Sequence, residues 1–337
     1  ERGGAQELVR QQYSGRYPFE LLQNASDAAL GAGVQGRTSF LLTETALIVA
    51  DNGYGFDEKQ VEAICALGRS SKDPGSSIGH KGLGFKSVGE ITDRPQIISP
   101  QTSFQFDGER VREEALTLLG SLPDRQKFPI YAFPFPVEGD DLGADAAEVK
   151  RLRDSGWTTI IRLPLRKDVE KTAVEDHLIG CLLPRLLLFL HGVDHLELRG
   201  TRADFSVEVS RDDDEGAERV LLEVDERVEE WLIYRGEVTP DLTLLEPMGG
   251  AWTEMGNAHI AVAVPLDESS KPRTDEQFPL NVYFPTEEHP GTHLAVHAEW
   301  ALSMDRRQLA ATPEAAPYNQ FLLEQTTEFI ASTVAVD

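Results

Sequence analysis

The stretch ELLQNASD, from Glu20 to Asp27, is the segment that most constrains the fold. It lies in a helical pattern over residues 19–30, and its spacings place Glu20, Asn24 and Asp27 on one helical face, opposite the apolar side. Two interpretations of this face stay open. It is either a solvated polar stripe or a working site, with Glu20 as a general base and Asn24 as an oxygen ligand of Mg²⁺.

A second motif, DNGYGF from Asp51 to Phe56, follows an apolar strand predicted over residues 46–50, which forms a hairpin with residues 40–42. A β-turn would explain the motif, since glycine accepts a positive φ. Gly53 and Gly55 would equally let the backbone approach a planar ligand, with Asp51 accepting a hydrogen bond from an amino group.

A third motif, GHKGLGFKS from Gly79 to Ser87, is rich in glycine and runs into a helix predicted over residues 85–89. It is not a P-loop, because Phe85 separates Gly84 from Lys86, and its glycine order differs from the dinucleotide fingerprint. It is either a ligand-free hinge or a loop whose backbone N–H groups hold phosphate.

Composition restricts the class of protein. The 337 residues carry a formal net charge of −25 and are 40% hydrophobic, which predicts a folded chain whose acidic surface disfavours nucleic acid and anionic membranes. Two cysteines and the lack of a membrane-length apolar run favour a reduced, cytoplasmic protein. The chain begins with Glu1 instead of Met, so we interpret it as a piece of a longer protein.

A charged stretch at residues 166–170 predicts a boundary between two domains, 1–168 and 169–337. Before it, we expect a short helix at 58–67 and a strand at 158–165. After it, we expect a buried helix at 182–190, an acidic turn or disordered loop at 211–218 and a closing helix at 318–334. Strands are expected at residues 205–209, 220–224, 260–264, 280–284 and 294–298.

The three motifs, each about thirty residues from the next, together resemble the GHKL ATPase superfamily. Its members include type II topoisomerases, ninety-kilodalton heat-shock chaperones, histidine kinases and mismatch-repair ATPases. The flanking sequences GRSSK (68–72), ITD (91–93) and TIIRLPLR (159–166) resemble the sacsin-type branch, and YFPT (283–286) and ALSMDRR (301–307) resemble its transducer domain. The resemblance covers most of residues 1–166 and the last sixty or so, and leaves residues 170–275 unmatched.

The resemblance implies a two-layer α/β sandwich with a mixed sheet and helices on one face, followed by an α+β transducer-like domain. It implies ATP and Mg²⁺ as cofactors: Glu20 would activate the attacking water, Asn24 would bind Mg²⁺, and Asp51, supported by Thr159, would accept a hydrogen bond from the adenine amino group. Further implied contacts to the nucleotide are Asp27, Gly53, Gly55, Lys72, Gly79, Lys81, Gly82, Leu83, Gly84 and Phe85. Residues 68–84 would form a lid, and Arg306 or Arg307 would either reach the γ-phosphate or form a salt bridge at the start of a helix.

Three hypotheses follow for the whole protein. The leading one is a module that hydrolyses ATP to ADP and phosphate and acts as a conformational switch in a larger protein. The alternatives are a module that binds ATP without hydrolysing it, and a chaperone-like protein that binds unfolded clients. The expected partners are ATP, a second copy in an ATP-dependent homodimer, and domains or proteins outside this chain. Chaperoning, DNA maintenance and anti-phage defence all stay open.

Overall fold

The structure is a computed structural model that describes residues 15–65, 84–121, 130–214 and 216–334. Its contacts divide the chain into two units. The first is Glu1–Leu183 with Gly192–Ser206, and the second is Pro184–His191 with Val207–Asp337. Helix Lys171–Cys181 therefore clusters with the first unit, beyond the charged stretch at which the sequence predicted a boundary.

The first unit is an α/β structure. Its helices are α1 (Tyr17–Ala32), α2 (Glu58–Cys65), α3 (Gly108–Leu119), α4 (Ala146–Asp154) and α5 (Lys171–Cys181), with 3₁₀ helices at Gly84–Glu90, Ile130–Ala132 and Gly139–Asp145. Its strands are β1 (Arg37–Leu42), β2 (Ala46–Asp51), β3 (Gln96–Ile98), β4 (Ser103–Phe106), β5 (Pro134–Pro136), β6 (Thr159–Pro164) and β7 (His195–Arg199). They lie in the order β7-β1-β2-β6-β3-β4-β5. β1 and β7 are parallel and the other neighbours antiparallel, which confirms the predicted mixed sheet and the predicted β1–β2 hairpin.

The ends of α1 follow from its sequence. Pro18 stands in the first turn, where its missing N–H removes no helical hydrogen bond. Gly33 ends the helix in the left-handed region, with φ 65°, and its N–H donates to the carbonyls of Ala29 and Leu30. The helix therefore continues for about three turns beyond Glu20, and it contacts β1 and β2.

α4 covers one face of the sheet at β2. Ala46, Ile48 and Ala50, which share one face of β2, form a buried cluster with Val149 and Leu152 of α4. All six residues of β2 are buried, and α1 also contacts β1 and β2. The stretch at residues 146–154, which was not predicted as a helix, forms α4.

A buried polar network lies on the α4 side of β3, β4 and β6. Arg162 donates to Asp145 at 2.8 Å and to Gln96 at 2.8 Å, and Gln96 in turn donates to Gln105 at 3.0 Å. Both side chains of the Arg162–Asp145 ion pair are 6% exposed. The network ties the 3₁₀ helix Gly139–Asp145 to the strand that carries Thr159.

The second unit is built mainly of antiparallel strands. Its elements are β8 (Asp204–Asp214, mostly in this unit), β9 (Ala217–Val224), β10 (Arg227–Val238), α6 (Leu242–Leu245), β11 (Ala258–Leu266), β12 (Leu280–Val282), β13 (Phe284–Pro285), β14 (Ala295–Ala298) and α7 (Ala316–Phe329), which continues as a π-helix over Ile330–Val334. The strand order is β13-β12-β14-β11-β10-β9-β8. The core is formed by Ile260, Val262 and Val296 of the sheet against Tyr318 and Leu322 of α7.

Two predictions for this unit are wrong. The acidic stretch at 211–218 is mostly strand, because β8 and β9 pair across it and Arg219 bridges Asp214 and Glu230. The helix expected at 182–190 is only a short 3₁₀ helix, Pro184–Leu188. Where the structure describes the chain, it contains no helix that is long and apolar enough to cross a membrane.

Candidate functional site

The polar face of α1 is turned into the protein. Glu20 is 5% exposed, Asp27 is 9% exposed, and Asn24 between them is half-buried. A solvated stripe is therefore the wrong interpretation for the two carboxylates. Carboxylates are seldom buried unless they are hydrogen-bonded or paired, so these two side chains are held inside the fold.

The glycine-rich motif reaches this face at Gly84. A β-carbon placed on Gly84 would lie 1.8 Å from Oε2 of Glu20 and 2.7 Å from its Cδ, so the backbone of Gly84 lies directly against the carboxylate. The chain then turns into the 3₁₀ helix Gly84–Glu90, where the Ser87 hydroxyl donates to the Gly84 carbonyl at 2.7 Å. The structure thus brings together two motifs that are sixty residues apart in sequence.

The 3₁₀ helix also carries a buried cation. Phe85 and Lys86 are both buried, and burial lowers the pKa of Lys86 to about 8, with Cys65 acting in the opposite direction. The ammonium group therefore keeps its proton on most molecules at neutral pH. Phe85 packs edge-on against Tyr131, which fixes the start of the helix.

Asp51 ends β2 as a buried acceptor that is 7% exposed. Its Oδ1 accepts the N–H of Gly53 at 2.9 Å, and the Thr159 hydroxyl, directly opposite on β6, donates to the same carboxyl group. Burial raises the pKa of Asp51 to about 7, although both hydrogen bonds act to lower it. An additional donor at this carboxylate would therefore be favoured, because it would offset the cost of burying the charge.

The glycines of the second motif are both required by packing. A β-carbon on Gly53 would lie 2.5 Å from Cβ of Ala28, so this turn is pressed onto α1. Gly55 has φ 83°, and a β-carbon there would lie 2.7 Å from Oγ of Ser99. The backbone bends at Gly53, and this bend holds Asp51 beside α1.

Tyr54 belongs to this site although the sequence analysis did not select it. Its ring lies against Gly31 of α1, where a β-carbon would be 2.8 Å from Cε1. Burial, followed by the charges of Asp27 and Asp51, raises the pKa of its hydroxyl. The sequence feature that could have identified Tyr54 is its position between Gly53 and Gly55.

The other predicted site residues fall elsewhere. Lys72, Gly79, Lys81, Gly82 and Leu83, and with them the predicted lid except Gly84, lie outside the described residues. Arg306 and Arg307 lie in the second unit, in the turn after Ser303. Arg306 has φ 57°, and Nη1 of Arg307 lies 3.4 Å from Oε1 of Glu287, so Arg307 forms a salt bridge, although this described turn is not the start of a helix.

The residues present suit a Mg²⁺ ion that is carried with a nucleotide. Among the described residues, no three His, Cys, Asp or Glu side chains form a metal-binding group. Mg²⁺ commonly takes only one or two protein ligands, keeps several waters and uses substrate phosphates for the rest. Asn24, half-buried one turn from Glu20, offers one such oxygen, and the close approach at Gly84 leaves backbone rather than side chain beside Glu20.

Comparison with known proteins bears on the first unit. Residues 37–181 match the family model described as "SACS: Sacsin domain", which is less than half of the chain. The chain is also 33% identical over 208 residues, 59% of its length, to "Protein NO VEIN" of Arabidopsis thaliana, and this match spans 7% of that relative. Over residues 37–181, which include Asp51, Gly84 and Thr159, this chain is sacsin-like.

Proposed function

We propose that the first unit binds ATP with Mg²⁺ and hydrolyses it to ADP and phosphate, as a nucleotide-driven switch within a larger protein. The observation that carries this proposal is the contact between Glu20 and Gly84, in which a buried carboxylate lies against the end of a glycine-rich motif. A base beside a phosphate-holding loop is what hydrolysis of a phosphoanhydride requires. The proposal includes a GHKL-type sandwich for the first unit and a transducer role for the second.

The adenine end of the site is assigned to Asp51. Its carboxylate would accept the amino group of adenine, in addition to the hydrogen bonds from Gly53 and Thr159. Gly55, whose φ of 83° excludes larger residues, would let the ring approach the backbone. Guanine presents a carbonyl oxygen at the position of that amino group, so the site would prefer ATP to GTP.

The phosphate end is assigned to α1 and the 3₁₀ helix. Asn24 would hold Mg²⁺, with Asp27 orienting waters one turn further along the helix. The metal ion would bridge phosphate oxygens and offset their charge. The amides of Gly84 and Phe85 would donate to phosphate, and the buried Lys86 ammonium would add positive charge.

Glu20 is assigned as the general base. It would take a proton from water as the water oxygen bonds to the γ-phosphorus. The bond from that phosphorus to the bridging oxygen breaks, and ADP leaves with the electron pair. The low exposure of the carboxylate excludes bulk water from this step.

The test is phosphate release from Mg·ATP by the full chain and by Glu20→Ala, with ATP binding measured on both. We expect binding to persist and turnover to fall by about a hundredfold or more in the variant. Glu148→Ala, which removes a partly exposed carboxylate that pairs with Arg151, is the control and should turn over normally. Binding without phosphate release by the wild type as well as by Glu20→Ala would favour the non-hydrolysing module, and absence of binding would refute the nucleotide site.

Asn24→Ala tests whether Asn24 binds Mg²⁺ or stabilises the folded protein. Because Asn24 is half-buried and faces the proposed ligand, the variant should unfold within about 1 kcal/mol of the wild type without ligand. It should lose the Mg²⁺ dependence of ATP binding, measured by titration with and without a chelator. A large loss of stability in the ligand-free variant would make Asn24 a structural residue instead.

For the whole protein, we propose that ATP promotes pairing of two copies in the cytoplasm and that domains outside this chain receive the change. Client binding, as in a chaperone-like protein, or a role in anti-phage defence would be the process that this ATP-driven change controls. Sedimentation of the chain with Mg²⁺ and a non-hydrolysable ATP analogue tests the first step. A mass that stays the same with and without nucleotide would refute pairing through this chain.

A further inference from the structure

The second unit contains a cavity of about 480 Å³ on the face of its sheet that is turned away from α7. Strand register determines its floor, since Arg235 of β10 lies opposite Ala261 of β11, which lies opposite His297 of β14. Side chains directly across neighbouring strands share a face, so a small residue separates an arginine from a histidine in this row. The adjacent Ile260 and Val262 point to the other face, into the core under α7.

Arg235 supplies the positive end of the cavity. Its Nη2 donates to Oε2 of Glu218 at 2.6 Å, and a guanidinium has five N–H donors in a fixed fork. Further lining comes from Phe189, His191, Glu237, His259, Tyr283 and His297, all of them in the second unit. Nε2 of His259 lies 3.5 Å from Oε1 of Glu237 and its Nδ1 lies 3.4 Å from Oε2 of Glu299, whereas the described ion pair of Arg235 is with Glu218.

His297, the histidine in the same row as Arg235, is neutral at neutral pH. His297 is 4% exposed, and burial, followed by the charges of Arg235 and His259, lowers its pKa to about 3. Its Nδ1 accepts the N–H of Tyr283 at 3.0 Å, so its role is to orient the neighbouring loop. Among the described residues these histidines do not form a metal-binding group, which leaves the guanidinium as the group that selects a ligand.

Aromatic rings form one wall. The ring centroid of Tyr283 lies 4.5 Å from that of His297, and the ring of Phe189 stacks on His297 with a centroid distance of 5.3 Å. Tyr283 has φ 59°, a left-handed conformation that is strained for a side chain of this size. Such strain persists only where surrounding contacts enforce it, and it is common at ligand sites.

We propose that this cavity binds a small aromatic anion, with a carboxylate or phosphate group on Arg235 and its ring against Tyr283. A volume of about 480 Å³ falls within the range of small-molecule sites. Arginine forms two parallel hydrogen bonds with either oxyanion, and the phenol ring of Tyr283 provides an aromatic contact. The site is separate from the proposed ATPase activity and does not depend on it.

The experiment titrates the full chain with phenyl phosphate, benzoate and inorganic phosphate by calorimetry. Arg235→Gln should weaken both aromatic anions by about tenfold or more, because a charge-assisted pair is lost. Tyr283→Gly should weaken them about fivefold while leaving inorganic phosphate unchanged, because only the ring contact is lost. Glycine accepts the φ of 59°, so this second variant is expected to fold even if the first does not.

The matched control is Arg273→Gln, which removes an arginine of the same unit that pairs with Asp275 outside the cavity. It should bind all three probes as the wild type does. Stronger binding of phenyl phosphate would identify a phosphorylated ligand, and stronger binding of benzoate a carboxylate. Failure of both aromatic anions to bind at millimolar concentration, or binding that neither Arg235→Gln nor Tyr283→Gly changes, would overturn the proposal.

Discussion

Asp51→Asn should stabilise the ligand-free first unit in alkaline solution while it removes the adenine acceptor. Asparagine keeps a carbonyl oxygen for the Gly53 N–H and the Thr159 hydroxyl, and it carries no charge. The wild-type carboxyl group, by contrast, must ionise in a buried position. Stability and ligand binding are therefore expected to change in opposite directions at this residue.

The magnitude follows from the pKa of Asp51, which burial raises from 3.8 to about 7. Between these two values the unfolded chain releases a proton that the folded chain keeps, so stability is lost as the pH rises through this window. From about pH 5 to about pH 8 the loss is about 2.5 kcal/mol, at 1.36 kcal/mol for each pKa unit. Asp51→Asn should not show this loss.

The assay is urea denaturation of the wild type and Asp51→Asn at both pH values, with Asp154→Asn as a control. Asp154 is an exposed carboxylate paired with Lys150, and its removal should change little at either pH. Saturating Mg·ATP should stabilise the wild type, by about 2.7 kcal/mol at a hundred times Kd, but not Asp51→Asn. A variant that loses stability with pH as the wild type does would refute the raised pKa and the argument built on it.

Two further variants test the packing around the site. Gly84→Ala would place a methyl carbon 1.8 Å from the Glu20 carboxylate, and we expect turnover to fall about a hundredfold because that group is displaced. The control is Gly89→Ala, whose methyl group would lie no closer than 3.4 Å to its nearest atom. Both variants are compared with the wild type in a phosphate-release assay. Unchanged turnover in Gly84→Ala would contradict the role of Glu20. Arg162→Met should cost about 3–5 kcal/mol in urea denaturation, because it leaves Asp145 as a buried unpaired charge. Adding Asp145→Leu should restore most of that stability, and a double variant no better than the single one would show that the ion pair is not the cause.

The parts of the fold that were predicted correctly are those with local signals. The β1–β2 hairpin followed from two apolar runs joined by a short polar turn, and the closing helix followed from its periodicity. The pairing of Thr159 with Asp51 was expected from family resemblance alone, since nothing in composition or spacing links residues a hundred positions apart.

The errors share one physical cause, which is that tertiary contacts overrode local composition. The acidic stretch at 211–218 pairs as strands because Arg219 lies across from its carboxylates, and Arg162 is buried because Asp145 and Gln96 surround it. The cavity at Arg235 is assembled from several separate segments of the second unit, so no local pattern could indicate it. The burial of Glu20 and Asp27 likewise depends on packing that the helical spacing does not determine.

We propose that α1, the turn after Asp51 and the helix beginning at Gly84 together hold one adenine nucleotide. The test is hydrogen–deuterium exchange of the full chain with Mg²⁺ and either ATP or GTP. We predict slower exchange with ATP in peptides that cover residues 17–32, 51–56 and 84–90 together, and little change with GTP. Exchange that ATP leaves unaltered in these three segments, or equal protection by GTP, would contradict it.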